Sequence, residues 1–265
     1  MEWAGRAAIV TGAASGIGAA TAAEFVRRGV TVGLFDIDGV KGRAQEDRFR
    51  VEGGRALFSR VDVADPEACR TAVQAFCEQV GRLDYLVNNA ASFLSKGMDA
   101  TTEEWDHALS VNVRGYAQMA TSCFAPMKAA GGGAIVNLSS ISGHIAQANR
   151  WTYNACKGAI LSMTRCMALD MAPAGIRVNS VSPGWTWTPE VAKAAVGGRE
   201  KWEPAWGRFS MLRRLAEAEE IARPILFLCS DDASFITGAD LPVDGGYLAL
   251  GTERDGTDSV FEGSR

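Results

Sequence analysis

The sequence predicts an α/β fold in which a doubly wound parallel sheet of about seven strands is covered by helices on both faces. Short β-branched runs alternate with longer amphipathic segments along the 265 residues, and several runs are continuously apolar, as buried parallel strands are. The composition, with 47% hydrophobic and 22% charged residues, is that of a globular protein and excludes disordered, collagen-like and coiled-coil chains. We therefore expect one domain over residues 1–250 and a tail over residues 251–265.

Each predicted element follows from a run of this kind. The candidate strands are, in chain order, Ala7–Thr11, Thr31–Phe35, Ala56–Val61, Leu83–Val87, Ala134–Ser139, Arg177–Ser182 and Ala239–Val243. The candidate helices between them are Ala19–Arg28, Pro66–Val80, Glu103–Lys128, Tyr153–Met171 and Glu217–Cys229. This alternation is typical of βαβ units, in which a helix crosses over to the next parallel strand.

Two segments depart from the alternation. Residues 183–215 are too long for an ordinary connection and too aromatic for a solvated one, so we expect a lid over a binding site. The tryptophans of this segment are Trp185, Trp187, Trp202 and Trp206. The tail, residues 251–265, is polar and rich in glycine, and it either lacks order or docks on a neighbouring subunit.

Charge and cysteine content narrow the function. A formal net charge of −4 without a long basic run argues against nucleic acid and anionic membranes as partners and favours a small soluble molecule. The 6 cysteines form no CxxC pair and there are only 2 histidines, so we expect no metal site and reduced cysteines in the core. Met1 leads into a polar segment rather than a secretory signal, and no apolar stretch reaches the length of about 20 residues that spans a membrane. We expect a cytoplasmic protein.

A glycine-rich turn follows the first strand, with the sequence Thr11-Gly12-Ala13-Ala14-Ser15-Gly16-Ile17-Gly18. Glycines at such a point let the backbone turn tightly and approach a pyrophosphate, which then lies against the positive N-terminus of the following helix. The turn predicts that a dinucleotide is bound by Gly12, Ser15, Gly16, Ile17 and Gly18. By itself, it is also compatible with a plain turn between strand and helix.

Asp36 ends the second strand, where an acidic side chain can accept hydrogen bonds from the hydroxyl groups of an adenine ribose. Its charge would repel a 2′-phosphate, and Ile37 and Ser15 leave no arginine or lysine beside the ribose. NAD is therefore favoured over NADP. The alternative is that Asp36 only caps a turn with Asp38 and Gly39.

Asp62 and Val63 follow the third strand and are predicted to meet the adenine. An aspartate after a strand is also a common turn former. The sequence leaves both interpretations of Asp62 open.

Tyr153 and Lys157 lie at positions i and i+4 of a predicted helix and so share one face. A lysine ammonium close to a phenol stabilises the phenolate and lowers the pKa of the tyrosine from its ordinary value near 10. Such a shift would let Tyr153 act as a general base near neutral pH. Taken alone, a pair at this spacing is more often a surface packing pair.

Further motifs occur in a fixed order along the chain. They are Asn88-Asn89-Ala90 after the fourth strand, Ser110-Val111-Asn112-Val113, Ser139-Ser140 after the fifth strand, Tyr153-Asn154-Ala155-Cys156-Lys157, and Pro183-Gly184 after the sixth strand. Together with the glycine turn they make the chain resemble the short-chain dehydrogenase/reductase family from about residue 5 to residue 247, which implies a single Rossmann-like domain. Ala91 departs from the family's pattern, which has glycine there, and we expect alanine to be tolerated.

The resemblance implies roles for the site residues. Tyr153 would take the alcohol proton during oxidation, Lys157 would hold the nicotinamide ribose and lower the pKa of the tyrosine, and Ser140 would hydrogen-bond the substrate oxygen. Asn112 would anchor a water of the proton relay, and Ser139 is expected to be structural. The remaining implied cofactor contacts are Asn89, Pro183, Gly184, Thr186 and Thr188. The resemblance also implies a homotetramer joined through the helices over residues 112–128 and 153–171.

The residues expected around the substrate are mostly hydrogen-bonding or aromatic. They are Ser140, Ser142, His144, Asn149, Arg150, Tyr153 and Trp185. Arg150 can clamp a carboxylate with two hydrogen bonds, with an arginine that points into solvent or bonds a neighbouring subunit as the alternative. His144 is either a contact to substrate hydroxyl groups or a histidine packed in its loop.

These observations predict an NAD-dependent dehydrogenase of a secondary hydroxyl group on a sugar or a sugar-derived acid, such as a 2-keto-3-deoxy sugar acid. One alternative is a 3-oxoacyl thioester reductase, which Asp36 disfavours because such enzymes prefer NADPH. A steroid reductase is another, since the tryptophans suit either kind of ligand. A non-catalytic protein that binds NAD for regulation would be expected to lack Tyr153, Lys157 or Ser140.

Overall fold

Strands and helices alternate along residues 3–251, which are the part of the chain that the computed structural model describes. The strands are β1 (Ala7–Thr11), β2 (Thr31–Asp36), β3 (Ala56–Arg60), β4 (Tyr85–Asn88), β5 (Gly133–Leu138), β6 (Ile176–Pro183), β7 (Thr186–Trp187), β8 (Ala216–Glu217) and β9 (Asp240–Val243). The helices are α1 (Gly16–Arg27), α2 (Gly39–Val51), α3 (Pro66–Val80), α4 (Thr102–Leu109), α5 (Gly115–Ala129), α6 (Trp151–Met171), α7 (Pro189–Ala194), α8 (Arg199–Gly207) and α9 (Ala218–Cys229). The predicted tail over residues 251–265 lies outside the described residues, apart from Gly251.

A sheet of 7 parallel strands forms the centre of the fold, in the order β3-β2-β1-β4-β5-β6-β9. The chain moves outward from β1 to β3 and then returns to the other side of β1 with β4, where Ala8 pairs with Tyr85 and Val10 with Val87. This reversal leaves a crevice at the carboxyl ends of β1 and β4, which is where open α/β sheets bind ligands. The predicted fold class is confirmed.

Helices cover both faces of the sheet, each over its own apolar core. On one face α1 and α9 pack together and bury side chains such as Phe25 and Leu226. On the other face α3 and α5 bury Phe76, Met119 and Cys123. Because such cores are packed as densely as organic crystals, the strands hold the residues at their carboxyl ends in fixed positions.

Helices α4 and α5 form one continuous helical stretch, as predicted over residues 103–128, but a π-helical turn at Ser110–Arg114 interrupts it. A π turn inserts an extra residue into the helix and is often found at functional sites. Here the turn carries the buried Asn112. Apolar periodicity does not reveal an insertion of this size, so the sequence analysis missed it.

Helix α2 was also missed. Its buried residues are Gly42 and Phe49, so it lacks the continuous apolar stripe by which an amphipathic helix is recognised. Gly42 packs against the ring of Phe58, since a Cβ on this glycine would lie 2.0 Å from Phe58 Cε2. Tertiary contact with β3, rather than periodicity, therefore holds α2 in place.

The segment predicted as a lid, residues 183–215, has regular structure of its own. It carries β7, α7 and α8, and β7 pairs with β8 in a second, two-stranded sheet. The ring centre of Trp206 lies 4.9 Å from that of Trp185 and 5.0 Å from that of Trp202, so three of its tryptophans form one stack.

None of the helices in the described part of the chain combines the length and the apolar character that crossing a membrane requires. The cysteines are unpaired thiols. Cys69, Cys123, Cys156 and Cys229 are buried, as predicted for core residues, but the prediction is wrong for Cys166, which is exposed, and Cys77 is only half-buried. Over residues 3–251 no three side chains of the metal-binding types come together.

Candidate active site

A cavity of about 520 Å³ opens along the carboxyl ends of β1 to β4. Many of the residues predicted to bind a dinucleotide line it, namely Gly12, Ser15, Gly16, Ile17, Asp36, Asp62, Val63, Asn89 and Thr188. The predicted contacts Gly18, Tyr153, Lys157, Pro183, Gly184 and Thr186 lie outside this lining. The crevice created by the strand order thus contains much of the predicted dinucleotide site, and binding of a dinucleotide there stays a prediction.

The glycine turn has the backbone that a pyrophosphate site needs. Gly12 and Gly16 adopt left-handed conformations, with φ of 66° and 56°. Gly18 is buried against the turn, because a Cβ there would lie 2.1 Å from the carbonyl oxygen of Gly12. Helix α1 begins without a side-chain cap from Ser15 and without an acidic residue in its first turn. Its N-terminal N–H groups therefore suit an anion in the cleft.

Asn89 locks this turn to the end of β4. Its side-chain amide donates to the carbonyl oxygens of Thr11 at 2.9 Å and Gly12 at 3.2 Å. The hydroxyl of Thr11 in turn accepts from the backbone N–H groups of Asn89 at 2.9 Å and Ala90 at 3.0 Å. Thr11, which the sequence analysis did not single out, therefore holds both walls of the cleft together.

Asp36 both orders its own turn and borders the cleft. Its carboxylate accepts hydrogen bonds from the N–H groups of Ala14 and Asp38, each at 2.9 Å. The expectation that no lysine stands at this end of the cleft is wrong: Lys41 in the first turn of α2 lines it, with Nζ 3.0 Å from Oδ2 of Asp38. The prediction was wrong because Lys41 lies in α2, a helix that the sequence analysis did not predict.

Asp62 fits both interpretations that the sequence left open. Its carboxylate accepts from the N–H of Ala64 at 2.9 Å, so it forms the turn after β3, and it also lines the cleft. Val63 lines the cleft as a buried side chain.

Tyr153, Lys157 and Ser140 come together at the carboxyl end of β5. Nζ of Lys157 lies 5.6 Å from the ring centre of Tyr153 and donates to the carbonyl oxygen of Leu138 at 2.7 Å. Ser140 follows β5, and its hydroxyl reaches the phenol of Tyr153. Ser139 donates its hydroxyl to the carbonyl oxygen of Lys157 at 2.9 Å, which fits the structural role expected of it.

Burial controls the titration of both central groups. It raises the pKa of Tyr153 to about 12, opposed by the positive charge of Arg150 and by the hydrogen bond with Ser140. Burial also lowers the pKa of Lys157 to about 8. The expected lowering of the tyrosine pKa by Lys157 is not what the structure shows, because desolvation outweighs it and the cation that acts on the phenol is Arg150.

Asn112 sits in the π turn and bonds the loop after β4. Its amide donates to the carbonyl oxygens of Ser92 and Ala108, both at 3.0 Å, and its oxygen accepts from the N–H of Ser92 at 3.2 Å. The loop held in this way carries Phe93, whose ring stacks on Tyr153 with centres 5.9 Å apart. A role for Asn112 in anchoring water stays a prediction.

Arg150, a predicted substrate contact, lies beside Tyr153. Its guanidinium carbon is 5.4 Å from the ring centre of Tyr153. Nε approaches the hydroxyl of Ser95 and Nη1 approaches Oε1 of Gln147, both at 3.4 Å. The buried Ser142 donates its hydroxyl to the same Gln147 oxygen at 2.7 Å, and its contact with a substrate stays a prediction.

Three other predicted substrate residues are placed differently. Nε2 of the exposed His144 lies 3.0 Å from Oδ2 of Asp240 and 3.1 Å from the hydroxyl of Ser182, so these contacts tie it to β9 and β6. Trp185 lines a separate cavity of about 200 Å³. Asn149 is exposed with φ of 57°, and it turns the chain into α6.

Pro183, Gly184 and Thr186 follow or end β6 outside the lining of the cavity, and their cofactor contacts stay predictions. Pro183 is buried at the end of β6, and Gly184 packs on Asp244, whose Cα would lie 2.8 Å from a Cβ on that glycine. Thr186 is buried and donates its hydroxyl to the carbonyl oxygen of Gly184 at 3.1 Å.

Comparison with known proteins agrees with this arrangement. A short-chain dehydrogenase model described as enoyl-(acyl carrier protein) reductase matches residues 12–248. The chain belongs to the short-chain dehydrogenase/reductase family.

Two relatives within this family act on ring alcohols by name. Cis-4-hydroxycyclohexanecarboxylate dehydrogenase of Sinomonas cyclohexanicum is 40% identical over 254 residues, which cover 92% of this chain and 97% of that protein. Cyclopentanol dehydrogenase of Comamonas testosteroni is 38% identical, with 91% and 96% covered. Such relatives identify this short-chain dehydrogenase as an oxidoreductase of secondary alcohols.

A solved structure shares the fold over nearly the same length. It is L-sorbose reductase from Gluconobacter frateurii, complexed with NADPH and L-sorbose, with a TM-score of 0.90 and 29% identity over 94% of this chain and 100% of that one. The seven-stranded parallel sheet is therefore the family's architecture.

Several residues of this short-chain dehydrogenase site escaped the sequence analysis. They are Thr11, Lys41, Phe93 and Gln147. The hydroxyl of Thr11 directly before the glycine turn was the one local signal available. The other three reach the site through loop and helix packing that spacing does not encode.

Proposed function

We propose that this protein uses NAD to oxidise a secondary alcohol on a substrate that also carries a carboxylate, with a ring alcohol as the first candidate. The observation that carries the proposal is the guanidinium of Arg150, 5.4 Å from the ring centre of Tyr153. A carboxylate bound there lies within one small molecule's length of the proposed base.

The volume of the cleft, about 520 Å³, and the N–H donors at the N-terminus of α1 suit a nicotinamide dinucleotide. The pyrophosphate would lie against the N-terminus of α1 and the ribose of the adenosine against Asp36. Asp36 favours NAD because its negative charge opposes a 2′-phosphate, while Lys41 is paired with Asp38. When bound, the dinucleotide supplies the hydride acceptor for the oxidation.

The chain's own residues then hold the alcohol and move its proton. Ser140 donates a hydrogen bond to the substrate oxygen, and the phenolate of Tyr153 accepts the hydroxyl proton. Lys157 bonds the carbonyl oxygen of Leu138, which holds its ammonium beside the phenol. Asn112 fixes the loop of Ser92, which forms the wall of the cleft next to Tyr153.

The substrate class follows from Arg150 and Phe93. Arg150 makes two long side-chain contacts at 3.4 Å, so its guanidinium has donors left for a carboxylate. Phe93 is 51% exposed and offers an apolar face beside the base, which suits an alicyclic ring. The relative that acts on a hydroxycyclohexanecarboxylate supports this choice.

A sugar-derived acid is the second candidate. It carries the same carboxylate for Arg150, and the similarity to L-sorbose reductase supports a polyhydroxylated substrate. Phe93 disfavours it, since an apolar ring face does not satisfy hydroxyl groups.

A panel of substrates tests the proposal. NAD or NADP reduction is measured with cis- and trans-4-hydroxycyclohexanecarboxylate, cyclohexanol, 2-keto-3-deoxy and aldonic acids, and a hydroxysteroid. We expect NAD to be preferred and kcat/KM for a cyclic hydroxy acid to exceed that for cyclohexanol by about 10–100-fold, the range for hydrogen bonds to charged groups. Equal values for acid and neutral alcohol would contradict the carboxylate contact, and turnover retained in Tyr153→Phe would contradict the whole assignment.

We also propose that residues 183–215 act as a lid. A Cβ on Gly16 would lie 3.5 Å from Cβ of Thr188, so α7 begins directly above the glycine turn. Glu190 and Lys193 of α7 line the cleft as well. Limited proteolysis within 190–200, slowed by dinucleotide, is the expected result.

The homotetramer stays a proposal as well. A groove lined by Leu109, Val113 and Met163 lies on the outer face of the helices α4 to α6, where a second copy would pack. Light scattering of the full chain measures the assembly, and a monomer would contradict it.

A further inference from the structure

We propose that Arg150 acts on Tyr153 as well as on the substrate: its guanidinium stabilises the ionised phenol, and Gln147 holds the guanidinium in that place. The inference rests on the proposed function in so far as Tyr153 is the base. It adds a second cation to the site and a residue whose task is to position it.

The surroundings of Tyr153 contain two cations, Lys157 in α6 and Arg150 directly before the helix. Lys157 approaches its ring to 5.6 Å and Arg150 to 5.4 Å. The other groups that face the phenol are the hydroxyl of Ser140, the phenol of Tyr116 from α5 and the thiol of Cys156. None of these three carries a positive charge, and apart from the hydrogen bond of Ser140 it is the charge of Arg150 that favours phenolate.

Lys157 and Arg150 differ in the pH range over which they keep their positive charge. Lys157 is 2% exposed, and burial lowers its pKa to about 8. A guanidinium keeps its charge throughout the pH range in which proteins fold. Arg150 therefore supplies the positive charge that remains once Lys157 begins to lose its proton, which is where a buried phenol needs it.

Gln147 anchors the guanidinium to the protein interior. Its Oε1 accepts from the buried Ser142 hydroxyl at 2.7 Å and faces Nη1 of Arg150 at 3.4 Å. Ser142 is 3% exposed, so this oxygen has a fixed position. Asn149, in a left-handed conformation with φ of 57°, reverses the chain between Gln147 and Arg150 so that both side chains meet.

One consequence links recognition to proton transfer. A carboxylate on Arg150 neutralises part of its charge and leaves the phenol less acidic than it is with a neutral alcohol. The rate of oxidation should therefore rise with pH at a different midpoint for hydroxy acids than for neutral alcohols. The proton itself passes from the substrate hydroxyl to the phenolate of Tyr153 in both cases.

The test uses a neutral ring alcohol, so that the carboxylate contact plays no part. The pH dependence of kcat/KM for cyclohexanol is measured at saturating dinucleotide for the wild type, Arg150→Met, Arg150→Lys and Gln147→Leu. We expect the midpoint of the alkaline rise to move up by about one pH unit in Arg150→Met, as removing a nearby opposite charge does. Arg150→Lys keeps the midpoint close to that of the wild type, and Gln147→Leu moves it part of the way.

A second readout does not depend on turnover. The ultraviolet absorbance of tyrosinate is titrated in each variant and in Tyr153→Phe, whose difference from the wild type isolates the signal of Tyr153. The midpoint of that signal should rise in Arg150→Met. Arg50→Met, which changes an arginine that is 75% exposed on α2, is the matched control and should leave both midpoints unchanged.

The outcomes separate the two proposals. Unchanged midpoints in Arg150→Met overturn the action of Arg150 on Tyr153, even if that variant loses its preference for hydroxy acids. A shifted midpoint without any preference for hydroxy acids supports the inference and removes the carboxylate contact. Retained turnover in Tyr153→Phe removes the base, and with it both proposals.

Discussion

The ammonium of Lys157 donates a hydrogen bond to the main-chain carbonyl oxygen of Leu138, with 2.7 Å between Nζ and the oxygen. This bond joins α6 to the end of β5 and holds a charge-bearing group in a site that excludes water. Burial then lowers the pKa of Lys157 to about 8, below its ordinary value of 10.5.

Stability should depend on pH through this lysine. Below pH 8 both the folded and the unfolded chain hold the proton; between pH 8 and 10.5 the folded chain releases it first, so the free energy of unfolding rises with pH. Relative to Lys157→Met, the wild type should gain about 2 kcal/mol between pH 8 and pH 10, at roughly 1.4 kcal/mol per pH unit. Urea unfolding at both pH values measures the difference, and Tyr153, present in both proteins, cancels. A constant difference would contradict the burial of the ammonium.

Removing the phenol of Tyr153 should abolish turnover without unfolding the protein. Tyr153→Phe keeps the ring that packs on Phe93 but has no group to accept the alcohol proton. We expect kcat to fall by about 10²–10⁴-fold, the range for general base catalysis, with little change in dinucleotide affinity. Tyr247→Phe, which removes a phenol beside the second cavity, is the matched control and should retain kcat.

We expect the proposed preference for NAD to depend on the charge of Asp36, and Lys41 to be needed for the gain in NADP binding when that charge is removed. Asp36→Asn keeps an acceptor for only one of the N–H groups of Ala14 and Asp38, which bond different carboxylate oxygens, and it removes the repulsion of a 2′-phosphate. We expect the Kd for NADP to fall relative to the Kd for NAD by about tenfold, equivalent to 1.4 kcal/mol. Adding Lys41→Met should cancel the gain in NADP binding.

Isothermal titration of both dinucleotides measures these ratios. Asp62→Asn is the control, since it changes the charge of a second carboxylate in the same cleft. An equal shift in that variant would mean that overall charge, and not contact with the ribose, sets the preference.

The close packing of Gly18 should make it intolerant of alanine. A Cβ there would lie 2.1 Å from the carbonyl oxygen of Gly12 and 2.5 Å from Nδ2 of Asn89, so the turn has to move. We expect Gly18→Ala to lose about 1–3 kcal/mol of stability, as overpacking does, and to weaken dinucleotide binding. In Gly39→Ala the new Cβ meets Cδ of Arg60 at 3.8 Å, so thermal unfolding should find that control at least as stable as the wild type.

Local patterns predicted much of this molecule. Apolar runs placed the strands of the main sheet to within one or two residues, and α3 begins and ends where predicted, at Pro66 and Val80. Apolar residues recur about every two residues in a strand and about every 3.6 residues in a helix. Both periods relate positions that are close in the chain, so the sequence reveals them directly. The same holds for the glycine turn and for the i, i+4 spacing of Tyr153 and Lys157.

Long-range contacts explain what the sequence could not show. The sequence left open whether His144 contacts the substrate or packs in its loop, whereas its partner in the structure is Asp240, on a strand that the chain reaches only after α6 and α9. Lys41 enters the cleft because Gly42 packs on Phe58, not because of any motif.

The sequence by itself determined the α/β class, the alternation of strands and helices along the chain, and the residue types at the cleft. These features depend on spacing along the chain. Only the tertiary structure decided which ionisable side chains lie close enough to act on one another. It placed Arg150 over the ring of Tyr153 through a left-handed residue and a glutamine contact, and it buried Lys157 deeply enough to lower its pKa. The reason is that desolvation and Coulomb energy depend on distances through space, which are fixed only when the loop after β5 packs against α6.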